Sequence, residues 1–269
     1  MNARRAAHRT ARKRELHPLN TIIADLHTHT LASDHAFNTI TEMVTQAAKL
    51  GLFAIACTDH GPQMPDAPHP WHFYSLSQLP RRPDGVWLLR GIEENVHDCA
   101  GRLDFSQERL AQFGFDWVVA SIHPECIEEK LDVAAATRLW SHVAENPFVD
   151  MIGHSEQPEY AYDYDAVTKL FTEHRKVVEL NANSFAVRPG GGENMRRLAL
   201  ACCKNGTKIA VNSDAHSIYQ LGQCDAVLHL LDEIGFPPEL IVNASPQNLI
   251  AELAAHGKAV AQEMEEALV

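Results

Sequence analysis

Seven short apolar runs, each turning polar at its C-terminal end, constrain this chain more than any other feature. They read TIIADLH (21–27), FAIACTDH (53–60), VWLLRGIEEN (86–95), WVVASIH (117–123), DMIGHS (150–155), VVELNAN (177–183) and KIAVNSDAH (208–216). Runs this rich in β-branched and aliphatic residues are strands buried on both faces. Amphipathic segments separate most of them, and strand–helix alternation builds a parallel sheet. Thr39 opens a capping box with Glu42 ahead of a helix that ends near Gly51. Further helices are expected near 131–145, 163–175, 192–205 and 220–234, with a last one after SPQ at 245–247. In a parallel α/β barrel all strand C-termini meet on one face, where active sites are built. Polar ends scattered from residue 27 to residue 216 therefore converge.

Six of the seven ends carry groups that bind metals. His27, His29 and His35 come from the first end and its loop, His60 from the second and Glu93 from the third. His123 and His154 come from the fourth and fifth, and Asp214 and His216 from the seventh. Seven imidazoles and two carboxylates suit zinc, iron or manganese. One ion that keeps a position open takes three or four protein ligands, so nine donors with a bridging carboxylate suit two or three ions. Clustered ions clamp phosphoryl oxygens and generate a hydroxide nucleophile, the chemistry of many phosphatases and nucleases.

The rest of the composition excludes other classes. No run approaches the roughly 18 apolar residues of a membrane span, and the basic N-terminus lacks the apolar stretch of a secretory signal. Six cysteines show no C-x-x-C spacing and read as buried thiols of a reducing compartment, so a cytoplasmic location is expected. Net charge is −12, but residues 1–14 hold Arg4, Arg5, Arg9, Arg12, Lys13 and Arg14 and no acid. Those six taken from 23 basic residues leave 17 against 35 acidic ones, a net −18 for the remainder. A body that acidic argues against a nucleic-acid groove, whereas several bound cations would offset it. The longest irregular piece, 61–85, contains six prolines and reads as a functional loop in which His69, Trp71 and His72 could cover a substrate.

The segments DLHTHTLASDH, TDHG, GIEEN, SIH, GHS and NSDAH, in this order, resemble the PHP (polymerase and histidinol phosphatase) family. DAPHPWHF, LRGIEEN, NSDAH and FPPELIVNASPQNLI are similar to its YcdX-type phosphatase branch. The resemblance spans about residues 21–257 and leaves outside it a basic extension, 1–20, expected to be disordered, and a C-terminal tail, 258–269. It implies an α/β fold, a distorted seven-stranded (β/α)7 barrel with its metal site at the C-terminal face of the strands. It implies a hydrolase acting on phosphoric esters, with three divalent ions, zinc first and manganese or iron as alternatives. A small phosphorylated substrate and a homo-oligomer are implied too.

Carried over by motif, His27, His29, Glu93 and Asp214 would hold the first ion. Glu93 would bridge to a second held by His123 and His154, and His35, His60 and His216 would hold a third. Glu93 and Asp214 would thereby position a hydroxide for in-line attack on phosphorus. Arg188, after the sixth strand, could clamp the phosphate. Asp25 and Asp59, each just ahead of a ligand, are expected to be structural partners that orient an imidazole. Three places depart from the family pattern: HSEQP stands where His-Pro-Gly is frequent, HPECI follows the fourth strand, and Pro70 replaces a histidine.

Three other readings share these motifs. An amidohydrolase-type metallohydrolase also begins with H-x-H after its first strand, although the third histidine at 35, TDH and seven strands rather than eight argue against it. A 3′ exonuclease or phosphodiesterase conflicts with the acidic body. A non-catalytic metal-binding module would have lost ligands, and none is missing here.

Overall fold

The computed structural model describes residues 22–127 and 129–268; the basic extension lies outside the described residues. Strands β1 (Ala24–Thr28), β2 (Ala54–Cys57), β3 (Trp87–Asn95), β4 (Trp117–Ser121), β5 (Met151–Ile152), β6 (Val177–Asn181) and β7 (Ile209–Asn212) are all parallel and adjacent in sequence order. Between and after them run α1 (Ile40–Leu50), α2 (Trp71–Ser75), α3 (Gln107–Phe113), α4 (Val133–Glu145), α5 (Tyr164–Glu173), α6 (Ser184–Val187), α7 (Gly191–Asn205), α8 (Asp225–Ile234), α9 (Pro246–Ala255) and α10 (Val260–Glu266). The expected capping box forms, with Glu42 N donating to Thr39 Oγ1 and Thr39 N donating to Glu42, and Gly51 ends α1 in the left-handed conformation. None of the described helices is long and apolar enough to cross a membrane. All six cysteines are free; Cys57, Cys202 and Cys224 are buried and the other three partly so.

The sheet curls into a nearly closed barrel. Thr28 and Ala215 bridge β1 to the segment after β7, and His29 N donates to Ala215 O at 2.9 Å. Lower in the same seam the two strands do not pair directly. The buried Asn243 fills the gap: its Nδ2 donates to Ala24 O (2.7 Å) and Val211 O (2.6 Å), and its Oδ1 accepts from Val211 N (3.0 Å). A parallel barrel of seven strands thus closes through a side chain where an eighth strand would otherwise pair.

Inside the barrel, small residues (Ala24, Ala54, Ala56, Ala210) leave room for Trp117 and Met151. Leu249 and Leu253 of α9 and Val260 and Met264 of α10 complete this floor. The segment after residue 257 is therefore a packed helix that plugs the base of the barrel. A larger apolar layer lies between the strands and the outer helices and includes Ile55, Val118, Val178 and Val211. Each fully buried aliphatic side chain contributes about 1.5–3 kcal/mol.

The 61–85 segment departs from the expectation of an irregular loop. It contains α2 and two single turns of 3-10 helix at Leu76–Gln78 and Pro83–Gly85. Phe73 of α2 is buried against Phe105, Phe113 and Phe115. An aromatic cluster of that size holds the segment down, so it forms a fixed wall of the site.

Candidate metal centre

Plain alternation along β1 would aim His27 and His29 out of the barrel, on the side of Asp25. The register shows why they point inward. Asp25 pairs with Ile55 but Thr28 pairs with Cys57, so one extra residue bulges β1 between them. Ile55 and Cys57 face the outer layer, which places Asp25 and Thr28 outward and returns both histidines to the mouth.

Glu93, at the end of β3 and 1% exposed, is the hub. Its Oε1 lies 3.2 Å from His27 Nε2, 3.5 Å from His123 Nε2 and 3.0 Å from His154 Nε2. Its Oε2 lies 3.5 Å from His29 Nε2 and 3.2 Å from His60 Nε2. Asp214 stands opposite, with Oδ1 at 3.2 Å from His29 Nε2 and 3.7 Å from His27 Nε2. His216 stacks on His29, and His35 stacks on His216 with ring centroids 4.2 and 4.3 Å apart. All nine expected donors are thus brought together. Eight line the interior, and His35 sits at the rim with 55% of its side chain exposed. His154 and Asp214 both adopt positive φ, 27° and 52°, a conformation that costs non-glycine residues of order 1–3 kcal/mol and is concentrated at functional sites.

Two carboxylates that the strand-end reading passed over complete the site. Glu179 lies in the body of β6, fully buried, with Oε1 2.8 Å from His27 Nδ1 and Oε2 accepting from His154 N. A charged residue inside an apolar parallel strand was the signal available for it, because such a charge is stable only when paired. Asp66, in the proline-rich segment, takes His35 Nδ1 at 2.6 Å and His60 Nδ1 at 3.1 Å. Asp25 and Asp59 play different parts from those expected. Asp25 accepts from Ser213 N and Gly222 N, and Asp59 accepts from Thr30 N, Thr30 Oγ1 and Ser33 Oγ. Neither orients an imidazole of the nine. Asp59 instead meets His72 Nε2 at 3.1 Å and pins the proline-rich segment. That contact turns His72 toward the protein, and Trp71 is left 74% exposed.

Charge is compensated tightly. Burial alone would raise the Glu93 and Asp214 carboxyls, but the surrounding imidazoles, His27 foremost, hold both well below the carboxylate range. Burial alone would lower His27 and His60; Glu179 and Glu93 hold His27 well above its usual value, and Asp66 and Glu93 push His60 up to about 10. His29, buried beside His216 and His60, is lowered to about 3.

The donor set fits divalent ions. His29 Nδ1 and His216 Nε2 are buried and make no hydrogen bond, whereas His27 Nε2 and His29 Nε2 each face a carboxylate oxygen 3.2 Å away. Leaving such groups unpaired costs about 1–3 kcal/mol each, and a cation facing the lone pairs would satisfy them. His29, His60 and His216 converge, as do His27, His29 and Asp214, and His60, Glu93 and His123, with the ligand atoms of each set within 4.8 Å of one another. Above them opens a hollow of about 390 Å³ lined by His35, Phe37, Met64, Asn183, Arg188 and Gln220 among others. Arg188 reaches over this hollow, Nη1 on Ser184 Oγ at 2.8 Å and Nη2 3.9 Å from Asp214 Oδ2.

The PHP domain pattern matches residues 25–183. A protein called probable phosphatase from Caldicellulosiruptor bescii is 40% identical over 234 residues, 87% of this chain and 96% of the relative. The chain belongs to the PHP domain family. A second probable phosphatase, from Edwardsiella ictaluri, is 38% identical over 89% of this chain and 97% of its own length. Among solved structures, the histidinol phosphate phosphatase of Lactococcus lactis, complexed with zinc, L-histidinol and phosphate, superposes with a TM-score of 0.58. It shares 18% identity and covers 80% of this chain and 94% of its own. A probable 2-pyrone-4,6-dicarboxylic acid hydrolase from Acinetobacter baumannii follows with a TM-score of 0.51, 12% identity and coverage of 86% and 99%. At those identities the likeness is one of fold, the barrel described above.

Proposed function

We propose that this PHP protein is a metal-dependent phosphatase that cleaves a small phosphomonoester at a site for three divalent ions, zinc first, with manganese or iron as alternatives. The observation that carries the reading is the convergence of five imidazoles on the two oxygens of Glu93 while His29 Nδ1 and His216 Nε2, buried beside them, have no partner. His27, His29, Glu93 and Asp214 would hold one ion; Glu93, His123 and His154 a second; and His35, His60 and His216 a third. When bound, such ions lower the pKa of water, orient a phosphoryl group and neutralise charge developing on its oxygens.

The chain's own groups do the rest. Glu179 and Asp66 hold the rings of His27, His35 and His60 by Nδ1 and turn Nε2 toward the hollow. Arg188 presents its guanidinium where a non-reacting phosphoryl oxygen would lie, and an arginine meets such oxygens through paired donors. A second hollow of about 280 Å³ shares His123, Val187 and Arg188 with the first and is walled by Pro124, Pro158 and Pro189. It gives the alcohol portion of the substrate a place beside the phosphate, between those prolines and the polar side chains of Gln157 and Glu159.

Elemental analysis of gently purified protein, paired with a panel of phosphomonoesters, tests the reading. Close to three ions per chain and hydrolysis that chelation abolishes are expected. One ion or fewer after supplementation with zinc and manganese, or preferential cleavage of cyclic amides or oligonucleotides, would sink it.

A further inference from the structure

One buried acid has no task in the site as described. Glu156 lies in the turn after β5, is fully buried and is not one of the nine donors. Its Oε1 accepts from Ser184 Oγ, and its Oε2 is buried with no hydrogen bond. A carboxyl so placed is costly unless it is hydrogen-bonded or faces a cation. The cation stands just beyond the serine, where Arg188 Nη1 donates to Ser184 Oγ at 2.8 Å. A guanidinium can only donate, so the serine's own hydrogen goes to Glu156 and the direction of both bonds is fixed. Three side chains thus form a line from the buried turn after β5 to the 390 Å³ hollow, which Arg188 lines.

Local structure keeps this line short. Helix α6 is a single turn, and Arg188 N donates to Ser184 O at 3.1 Å, so residues 184 and 188 share one face. Gly191 N donates to Arg188 O at 2.8 Å and holds the backbone from the other side. With the backbone fixed, the place of the guanidinium depends on what meets the far end of a side chain that carries about 2 kcal/mol of rotamer entropy. Two partners compete for it. One is Ser184; the other is Asp214 Oδ2, 3.9 Å from Nη2 and already accepting from Asn181 Nδ2 at 3.1 Å. A carboxylate attracts a guanidinium more strongly than a lone hydroxyl does, so an unsupported Arg188 would close on Asp214. Glu156 supplies the support, because taking the serine hydrogen polarises the hydroxyl and aims its lone pairs at Nη1.

We propose that Glu156 and Ser184 are positioning residues that hold the Arg188 guanidinium over the hollow and off Asp214, where it can receive a phosphoryl oxygen. The inference rests on the reading of Arg188 as a phosphate clamp. Glu156 and Ser184 are both fully buried and act only through the arginine. Ser184 occupies one N–H of the guanidinium and leaves the others for an anion. The arginine thereby meets phosphate with its rotamer already set, which removes part of the ordering cost of binding.

Calorimetric titration of inorganic phosphate into the metal-loaded full-length protein tests this, with ions per chain counted alongside. Ser184→Ala removes both bonds at once, and Glu156→Leu removes the acceptor at similar volume. Each should raise the phosphate dissociation constant by about five- to ten-fold, within the range of coupling inside one hydrogen-bonded network, and leave the ion count unchanged. Glu156→Gln keeps an oxygen for the serine and should stay within about two-fold of the wild type. Placed on Arg188→Ala, neither Ser184→Ala nor Glu156→Leu should weaken binding further, since the group they act through is gone. Unchanged binding in Ser184→Ala, a Glu156→Gln variant as weak as Glu156→Leu, or an equal further loss on the Arg188→Ala background would overturn the positioning role and leave the clamp intact. A wild type that does not bind phosphate, or an Arg188→Ala variant that binds it equally well, removes the clamp reading and this inference with it.

Discussion

Glu93 is surrounded by five imidazoles, and nothing else in the site could replace both of its oxygens at once. An amide at that position offers one weak oxygen and turns N–H groups toward the remaining donors. Glu93→Gln is therefore expected to lower metal content and to cut turnover by about 100-fold or more, read by elemental analysis beside initial rates; undiminished hydrolysis would remove Glu93 from its central role. Arg188 separates cleanly from this group because no imidazole of the nine depends on it for orientation. Arg188→Ala should leave metal content unchanged and weaken kcat/KM by about 1.5–3 kcal/mol, the usual worth of a charged hydrogen bond. Unaltered kinetics in that variant would make Arg188 a wall residue only. Of the residues that shape the site, Glu93 and the histidines were legible at strand ends because ligands must lie where a barrel opens. Glu179 and Asp66 were not, since orienting a ring requires only proximity in space, and Glu179 lies 152 residues from His27 and Asp66 31 from His35.

Elements carry the site as rigid units, and their ends are held by pairs far from the chemistry. At the base, His256 closes α9 and sits between Asp150 (Nδ1–Oδ1 2.9 Å) and Glu252 (Nε2–Oε1 3.1 Å), with Lys258 Nζ on the other oxygen of Asp150 at 2.7 Å and Lys208 against Glu252. Burial alone would lower His256, but the two carboxylates prevail and raise it above 6.5. A folded value above the unfolded one means that protonated His256 stabilises the fold in full below about pH 6.5 and that this contribution is lost as pH rises through the raised value. The melting temperature of the wild type should exceed that of His256→Gln most in mild acid, with the difference narrowing as pH rises. A difference independent of pH would mean that the ring acts only by packing. Helices α4, α5, α7 and α9 were legible from periodicity and capping. Short α3 and α10 were not, because seven residues span too few turns to show a period, and their packing partners lie on other elements.

At the scale of the whole molecule, closure is the property that makes one centre out of seven strand ends. Asn243 carries much of it, joining Ala24 to Val211 across the seam. Removing that amide leaves buried backbone groups of both strands unpaired, at about 1–3 kcal/mol each. Asn243→Ala should therefore lose at least about 2 kcal/mol in denaturant unfolding and release metal under milder chelation than the wild type. Unchanged stability would show that the seam closes without it.

The sequence by itself determined the alternation of strands and helices, the parallel sense of the sheet and the nine side chains that meet at its mouth. Each of these follows from local pattern: apolar runs form strands, strands joined by helices run parallel, and parallel strands end on one face. Tertiary structure alone decided that a bulge in β1 turns His27 and His29 inward, that Asn243 substitutes for an eighth strand, and that the 61–85 segment is a fixed wall. Those outcomes depend on which atom of one element meets which atom of another tens to hundreds of residues away, 30 between Thr28 and Thr58 and 219 between Asn243 and Ala24, and a hydrogen bond of 3 Å has no counterpart in the order of residues along the chain.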